Sequence, residues 1–465
     1  MRLELLKGVY ADAVADFVES PPVNREPVIV STGLSDGYLR IAPGITATDQ
    51  GDGPDRGGIF WNGVAYRVIG SKFGSISAQG LFTEIGDVGG GGPCWFDYSF
   101  DQLAIGSGGL MFYYDGSTLV QMTDPDLGQA LDGIWIDGRF MTTDGEFLVV
   151  TELNNPMAVD PLKYGSSEED PDRIVALIKV RGEAYALNAN TIENFSNTGS
   201  TGFPFARNSG ALIPYGCVGT KAKAPILQTF AFAGCARGEA LAVYLAGNGD
   251  AQKISNKFVD DELSKLTAEQ AAAIEMEARV DADEQRLLIH LPDKTLVYYA
   301  TASQRTQGKV WAVFASGVNA DKAYRGQRGV LAYGKFIVSD ADGNIGYIDG
   351  TTAKHFGEVA GWRIDTALLF NENGRGIINS VELTGLAARA PLNTEPRTFM
   401  SWTTDGTTWS QERAISTGRA GERGVRMQWR PNIRFNQWIG LRFRGADEGR
   451  AAFARLDVAV QPLGG

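Results

Sequence analysis

The chain of 465 residues has few of the side chains that most enzymes and metalloproteins depend on. It contains two histidines, His290 and His355, and three widely spaced cysteines, Cys94, Cys217 and Cys235. Three separated cysteines do not form a disulfide framework, and no Cys-x-x-Cys pair suggests zinc. The sequence therefore predicts a reducing compartment, with no bound metal and no cofactor.

Nucleotide-binding and hydrolase motifs are also missing. There is no Gly-x-x-x-x-Gly-Lys-Ser/Thr loop, no His-Glu-x-x-His and no Gly-x-Ser-x-Gly. His290 lies in "LLIHLP", where it alternates with apolar residues, and this pattern favours a structural histidine in a strand. We expect no enzymatic activity and identify no catalytic residue.

Long apolar runs are absent as well. No stretch of eighteen apolar residues occurs, so no membrane span is predicted. The first twenty residues, "MRLELLKGVYADAVADFVES", carry acids where a signal peptide needs an apolar core. Export by a cleaved signal peptide is therefore not expected.

Positive charge is scarce, and it is unevenly placed. The net charge is −12, and Lys354 is the last lysine. From Ser380 onward, 12 arginines against 8 acids give +4, so the preceding residues carry −16. An acidic protein surface does not bind nucleic acid through neutralisation of its phosphates, which needs a basic surface. The difference in charge suggests that the acidic part and the basic C-terminal part bind different partners, or that they contact each other. Random drift in the composition of solvent-exposed faces would give the same pattern.

Glycine and β-forming residues are abundant and indicate an all-β protein. The chain has 58 glycines, with Val, Ile, Tyr, Phe and Thr in short alternating runs. These runs group into units with a spacing typical of propeller blades. The units span 57–88, 94–122, 133–153, 173–197, 228–255, 286–300 and 322–356. We predict a β-propeller-like body of about seven blades, with the glycine run 89–93 as a loop between blades.

Two segments with a similar Tyr-x-Asp-Gly-Ser/Thr-Thr pattern fit this interpretation. "YYDGSTLVQM" (113–122) and "YIDGTTAKHF" (347–356) each contain an Asp-Gly pair suited to a tight turn. In a propeller such hairpins would join the outer strands of each blade. Two-residue turns would place Tyr113 opposite Thr118, and Tyr347 opposite Thr352. A large antiparallel protein that simply reuses good turns would show the same repetition.

One segment is helical. In "DDELSKLTAEQAAAIEMEA", Thr267 and Gln270 form a Thr-x-x-Gln capping box before an alanine-rich run. We predict a helix over about 260–277, broken near Thr267 and inserted into the propeller-like body. The predicted units are an N-terminal arm with first strands (1–50), the body (51–362) and a C-terminal antiparallel β-sandwich (363–465).

The C-terminal segment alternates clearly. In "WIGLRFRG", Ile439, Leu441 and Phe443 share one face of a strand. In "WTTDGTTW" (402–409) a two-residue Asp-Gly turn would place Trp402 opposite Trp409 on one face. We expect this pair to help close the sandwich core, with a patch for a neighbouring protein as the alternative.

Two weaker motifs resemble loops known from ligand-binding proteins. "DADGNIG" (340–346) has Asp340, Asp342 and Asn344 at alternate positions, as a calcium loop does, but its twelfth position is Thr351 where a glutamate is needed. A hairpin turn is favoured there, and calcium is left open. "SWTTDGTTWS" (401–410) resembles an Asp-box turn, but it is one residue short and occurs once.

The segment 260–300 resembles the packaged-DNA stabilisation protein, or tail hub, family of short-tailed phages of the Salmonella-phage type. A Thr-Ala-Glu helix is followed by "LLIHLP" (287–292) and by "LVYYA" (296–300), as in that family. "PPVNR" (21–25) and "DGYLRIAPGI" (36–45) are similar to its N-terminal segments, although Pro22 replaces the family's leucine, and much of 50–250 matches nothing. "TTDGTTW" falls where the family has a similar turn.

The resemblance implies a structural virion protein. It would form a ring, expected to be a homohexamer, below the portal and adaptor ring, assembled in the host cytoplasm and located in the virion tail. Its partners would be the adaptor, the tail needle, tailspikes or tail fibres, and genomic DNA that is retained and then passes through the lumen. The alternatives are a glycan-binding or glycan-cleaving propeller, and a nozzle-type tail protein of another short-tailed phage group.

Overall fold

The computed structural model is dominated by strands, arranged as a propeller and a sandwich. It describes residues 2, 3, 5, 8–11, 17–30, 32–247, 249–281, 283–370, 374–422 and 424–463.

Within the described chain, seven antiparallel sheets form seven blades, as the sequence predicts. The strands of blades 1 to 4 are as follows. Blade 1 has Asp55–Trp61, Val64–Ile69, Lys72–Ile76 and Phe82–Asp87; blade 2 has Trp95–Tyr98, Leu103–Ser107, Leu110–Tyr114 and Leu119–Gln121; blade 3 has Asp132–Ile136, Arg139–Thr143, Phe147–Glu152 and Asn155–Val159, with Gly165–Ser166 added; blade 4 has Ile174–Val180, Glu183–Asn188, Ile192–Asn197 and Phe205–Arg207.

The remaining three blades complete the circle. Blade 5 has Lys223–Ile226, Thr229–Cys235, Ala242–Ala246 and Ala251–Lys253, with Gly216–Cys217 added; blade 6 has Glu275–Asp281, Glu284–His290, Thr295–Tyr299 and Trp311–Phe314; blade 7 has Gln327–Ala332, Lys335–Ser339, Asn344–Asp349 and Gly44–Gln50, with Lys354–His355 and Glu358–Val359 at its edge. Short 3-10 turns lie at Pro125–Leu127, Pro161–Lys163 and Ser209–Ala211.

The blades close into a ring because the first strand of each blade contacts the first strand of the next, and that of blade 7 contacts that of blade 1. Buried apolar clusters lie between neighbouring blades all round the ring. A blade strand is therefore covered on both faces, which explains why the five consecutive residues "RLLIH" are all buried and do not alternate.

The N-terminal strand Gly44–Gln50 closes the propeller. It pairs antiparallel with Asn344–Asp349 and takes the fourth place in blade 7, between that strand and the short edge strand Lys354–His355. This explains the repeated Asp-Gly segments, since 110–114 and 344–349 are equivalent third strands of their blades. The second segment does not form a hairpin, because the place beside it is already occupied.

Both predicted hairpin registers are wrong. Tyr113 lies opposite Val120, and Tyr347 lies opposite Thr46 of the N-terminal strand. In each turn the aspartate carboxylate accepts a hydrogen bond from the backbone N–H two residues later, at 2.8 Å for Asp115 and 2.7 Å for Asp349. This side-chain turn makes the first loop longer than the two residues assumed.

Three α-helices are present in the described chain: α1 Lys257–Ser264, α2 Ala268–Ala272 and α3 Ala300–Thr306. The capping box of Thr267 with Gln270 begins α2, so the predicted break is confirmed. The predicted helix end is wrong, because Glu275–Asp281 is the first strand of blade 6. Ile274 and Met276, two positions apart, are buried in the propeller core, and this period of two belongs to a strand.

The C-terminal residues form the predicted sandwich. One sheet contains Gly376–Leu386, Met427–Trp429, Ile433–Phe435 and Ala452–Pro462, together with the N-terminal strands Arg2–Leu3, Arg25–Val28 and Tyr38–Ile41. The other contains Trp362–Asp365, Leu369–Phe370, Arg397–Thr403, Arg413–Ser416 and Trp438–Gly445. Ile439, Leu441 and Phe443 are buried in the core between the sheets, so the predicted alternation is confirmed.

The N-terminal fifty residues thus serve both units. A hairpin, Gly8–Ala11 with Phe17–Ser20, precedes two strands of the sandwich, and the next strand belongs to blade 7. The limits 1–50, 51–362 and 363–465 stay predictions, and strand pairing shows that sequence order does not separate the units cleanly.

The predicted register of the two tryptophans is wrong. The backbone N–H of Ser410 donates to the carbonyl oxygen of Trp402 at 2.9 Å, so Ser410 takes the place expected for Trp409. The Asp405 carboxylate accepts the next two free N–H groups of the turn and lengthens the loop. Trp402 packs on the sandwich core, whereas Trp409 lies over Arg442 on the opposite face of the sheet.

Candidate functional site at the propeller–sandwich junction

The segment "PPVNR" (21–25) lies where the propeller meets the sandwich. The backbone N–H of Val23 donates to Arg363 at 2.9 Å, and Val23 also forms a bridge with Val313, in the outermost strand of blade 6. Asn24 N–H donates to the carbonyl of Val313 at 2.8 Å. Backbone hydrogen bonding therefore runs without interruption from blade 6 through this segment into the sandwich.

Arg25 anchors the same segment on the sandwich side. It is completely buried, and its guanidinium carbon lies 3.9 Å from the centroid of the Trp362 ring and 4.5 Å from that of Phe453. It donates to the carbonyl of Ala451. Burial lowers the pKa of Arg25 to about 9, which leaves it cationic at neutral pH. Two aromatic faces and a carbonyl oxygen stabilise this cation.

A chain of ion pairs joins the next residues to blade 6. Arg286 Nη1 lies 2.7 Å from Glu26 Oε1, and Arg40 Nε lies 2.8 Å from Glu26 Oε2. Glu26 is 1% exposed, so its charge requires these two partners. Arg286 stands just before "LLIHLP", and Arg40 lies within "DGYLRIAPGI". The family-like segments thus meet in space although they are far apart in sequence.

A cleft of about 630 Å³, the junction cleft, opens between α1 and the sandwich. Arg442, beneath the Trp409 ring at 3.7 Å, binds Asp365 at 2.6 and 3.0 Å, and Ser20 donates to Asp365 at 2.7 Å. Burial acts to raise the pKa of Asp365, but Arg442 and Arg363 outweigh it and hold that pKa below its usual range. These contacts fix the wall of the cleft.

Both histidines have structural partners. His290 Nδ1 lies 2.8 Å from Thr295 Oγ1, and Nε2 lies 2.9 Å from Glu277 Oε1, as a structural histidine requires. His355 is buried with Nδ1 2.8 Å from Ser316 Oγ. Burial, and then the charge of Arg325, lower the pKa of His355 to about 4. Both Ser316 and His355 are buried, so this hydroxyl is not open to a substrate.

The segments considered as ligand loops are turns. The Asp340 carboxylate binds Arg325 at 2.7 Å and accepts the backbone N–H groups of Asp342 and Asn344, between two strands of blade 7. Among the described residues, no group of three or more His, Cys, Asp or Glu is placed to hold a metal ion. The described residues around 340–346 therefore add no further carboxylate, thiolate or imidazole ligand for calcium.

The glycine run 89–93 is a loop between blades 1 and 2, as predicted. The Arg56 guanidinium donates to the carbonyls of Gly89 and Gly92, both at 2.6 Å, and to Ser107 Oγ at 2.7 Å. Arg56 thereby supplies the hydrogen bonds that this loop lacks within itself.

In the described part of the chain, no helix is long and apolar enough to cross a membrane.

Sequence reasoning named no functional residue, and the junction residues carry no pattern of their own. Asn24 bonds to a residue 291 positions away, and Ser20 to one 345 positions away. Only the resemblance at "PPVNR" and "DGYLRIAPGI" pointed to these segments, without indicating what they contact.

Comparison with known proteins covers both units. A family model described as Bacteriophage P22 Gp10, beta-propeller, matches residues 1–353, and one described as Bacteriophage P22 Gp10, beta-sandwich, matches residues 361–461. Tail hub protein gp10 of Salmonella phage P22 is 28% identical over 467 residues, covering 95% of this chain and 96% of that protein.

Similar solved structures cover about two thirds of this chain. The N-terminal domain of Nup159 is 8% identical and covers 66% of this chain and 95% of its own, with a TM-score of 0.41. The Pan2 WD40 domain of Neurospora crassa is 9% identical and covers 64% of this chain and 89% of its own, with a TM-score of 0.41.

Proposed function

The chain belongs to the Bacteriophage P22 Gp10 family, and on that premise we propose that it is a structural tail hub protein of a short-tailed phage. The observation that carries the proposal is the match of both units, in the same order, to a tail hub protein over 95% of this chain. The proposal assigns the chain to the virion tail, gives it no catalytic role and has it assemble in the host cytoplasm.

The finer proposal is a homohexameric ring below the portal and adaptor ring. This ring retains packaged DNA, seats the tail needle and the tailspikes or fibres, and conducts DNA at ejection. A ring with cyclic symmetry needs two different complementary faces on each subunit, and the −16 body with its +4 end supplies such a difference. A mostly acidic lumen repels DNA, which limits adhesion as the genome leaves.

The contacts at the junction support a role in which the propeller and the sandwich keep a fixed relative orientation. Continuous backbone pairing through Val23, the buried Arg25 and the Glu26 ion pairs hold the two units in one orientation. A hub that contacts different neighbours through propeller and sandwich needs that orientation fixed. A glycan-binding or glycan-cleaving propeller would need repeated Asp-boxes, and a nozzle-type protein would lack the family segments at the junction.

Cryo-electron microscopy of the virion tests the proposal. We expect this chain in a closed six-fold ring beneath the adaptor, with mostly acidic residues facing the lumen. A peripheral monomer, or a lumen lined by lysine, would contradict it.

A further inference from the structure

A second cleft, of about 530 Å³, lies between blades 6 and 7 and the sandwich. We name it the arginine cleft, because most of the charged side chains around it are cationic. Six cations line it against two acids, Glu26 and Asp281; the cations are Arg40, Arg279, Arg286, Lys335, Arg389 and Arg450. This excess contrasts with a chain whose net charge is −12.

The floor of the arginine cleft is neutralised by its own ion pairs. Arg286 binds Glu26 at 2.7 Å and Asp281 at 2.9 Å, and Arg40 binds Glu26 at 2.8 Å. Arg279 pairs with Glu277. These groups hold one another in place, so they make a rigid base and leave little charge for a ligand.

The rim is different. Lys335, Arg389 and Arg450 are exposed, and among the residues that the structure describes none of them forms a salt bridge. Burial acts to raise the pKa of the nearby Asp349 carboxyl, but its hydrogen bonds and the charge of Lys335 outweigh this effect and lower that pKa. Lys335 Nζ lies 4.0 Å from the centroid of the Tyr347 ring, and Arg450 Nη1 donates to the carbonyl of Gly350 at 3.0 Å. Three exposed cations without a salt bridge, from the propeller and the sandwich, therefore converge on one cleft.

We propose that the arginine cleft binds the phosphate backbone of nucleic acid, with Lys335, Arg389 and Arg450 as its phosphate contacts. Guanidinium groups match phosphate oxygens in pairs, and lysine adds a compact point charge. The net negative charge of the chain repels a polyanion, which favours contact at this cleft over adhesion to the rest of the propeller. The inference rests on the proposed function, in which each hub subunit faces packaged DNA that must be retained before ejection.

Binding of a fluorescent DNA duplex to the isolated full chain, measured across a range of salt concentrations, tests the cleft. Three phosphate contacts predict a slope of about −2.7 for the logarithm of affinity against the logarithm of salt concentration. The triple variant Lys335→Gln, Arg389→Gln, Arg450→Gln should bind about tenfold or more weakly at low salt and lose most of that slope. Each single variant should lower the slope by about 0.9.

A charge-matched control variant distinguishes the effect of the cleft residues on DNA binding from the effect of a changed net charge. Arg173, Arg430 and Arg434 are exposed and form no described side-chain ion pair, so their replacement by Gln changes the charge equally. The control should bind like the unmodified chain, and both variants should keep its melting temperature. Equal weakening in both triple variants would overturn the proposal, as would unchanged binding by the cleft variant.

Two competitors identify the ligand. Inorganic phosphate should compete only weakly, and full competition at equal phosphate concentration would overturn the assignment to a strand. A polyglutamate peptide should not compete, and its binding in place of the duplex would assign the cleft to an acidic protein segment. If the chain forms the virion ring but the cleft triple variant binds the duplex as tightly as the unmodified chain, only the cleft proposal is overturned. If duplex binding depends on the cleft but the chain is absent from the ring, only the tail hub proposal is overturned.

Discussion

The side-chain nitrogen of Asn24 donates a 2.7 Å hydrogen bond to the carbonyl oxygen of Ala315, the residue that follows the outermost strand of blade 6. The same nitrogen donates to Gly361 at 2.6 Å, immediately before the first sandwich strand, and the Asn24 Oδ1 atom accepts from the N–H of Ala315. Asn24 also has φ of +50°, in the left-handed region that asparagine tolerates. One side chain therefore ties both units together.

Replacing Asn24 should loosen the junction. Asn24→Ala removes three buried hydrogen bonds, and at about 1 kcal/mol each we expect a loss of about 3 kcal/mol in the free energy of unfolding. Asn24→Gly should cost about 1 kcal/mol less, because glycine tolerates the positive φ. Calorimetry should also separate the unfolding of propeller and sandwich into two transitions.

Asn62 provides the matched control, since it has φ of +47° in an exposed turn. Asn62→Ala carries the backbone strain without the buried hydrogen bonds. Equal losses for Asn24→Ala and Asn62→Ala would show that the Asn24 side chain does not hold the junction.

Closure of the propeller depends on Gly44. A Cβ atom there would lie 2.4 Å from the carbonyl oxygen of Lys354 and 2.8 Å from that of Thr352. Gly44→Ala should therefore lower the free energy of unfolding by about 1–3 kcal/mol and expose the N-terminal strand to limited proteolysis. Gly91→Ala is the control, because nothing lies within 4 Å of its Cβ position. Equal protease resistance of the two variants would contradict the closure role.

His355 should make the protein sensitive to mild acid. Its pKa falls from 6.5 to about 4 on folding, so the unfolded chain binds the additional proton between these values. Stability is therefore fully present above pH 6.5 and declines as the pH falls towards 4. Between pH 7.5 and pH 5 the free energy of unfolding should fall by about 2 kcal/mol. Chemical unfolding at pH 7.5 and pH 5 measures it.

His355→Gln should remove this part of the acid sensitivity. Glu277 does not account for the same window: burial acts to raise its pKa, but Arg279 and His290 outweigh burial and hold it at about 2. Its contribution is lost only as the pH falls below about 4.5. An unchanged pH dependence in His355→Gln would refute the assignment.

The two tryptophans of the turn should differ in their effect on stability. Trp402 is half-buried but packs against the sandwich core, so Trp402→Ala should cost about 2–3 kcal/mol, less than the loss of a fully buried tryptophan. Trp409 is half-buried over Arg442, and Trp409→Ala should cost about 1–2 kcal/mol through the lost cation–π contact. Thermal melting of the full chain compares them. A larger effect at Trp409 would contradict the placement of the rings.

Loss of the gene should cause leakage of packaged DNA, with DNA entry unaffected. In the proposed order the hub joins after the portal and adaptor, so it is not required for DNA to enter the head. Full heads should be abundant in the crude lysate of a deletion phage and should become empty during purification. Heads that never fill would contradict the proposed order of assembly.

Local chemistry by itself determined the broad architecture. Short β-forming runs separated by turn residues predicted seven blades and a sandwich, because strand length and turn signals are properties of neighbouring residues. The Thr267–Gln270 capping box likewise located the start of α2. The alternation in "WIGLRFRG" gave the buried face of its strand, since side chains of successive strand residues point to opposite faces.

Tertiary structure alone decided which strands pair and in what register. Nothing near Gly44–Gln50 marks it as the fourth strand of blade 7, because an extended backbone offers the same N–H and C=O groups to any edge. The hairpin and tryptophan registers were wrong because aspartate side chains, such as that of Asp405, replace backbone hydrogen bonds within the turns. Asn24 and Arg25 became junction residues only when folding brought them to partners hundreds of positions away, since hydrogen bonding and cation–π contact depend on distance in space.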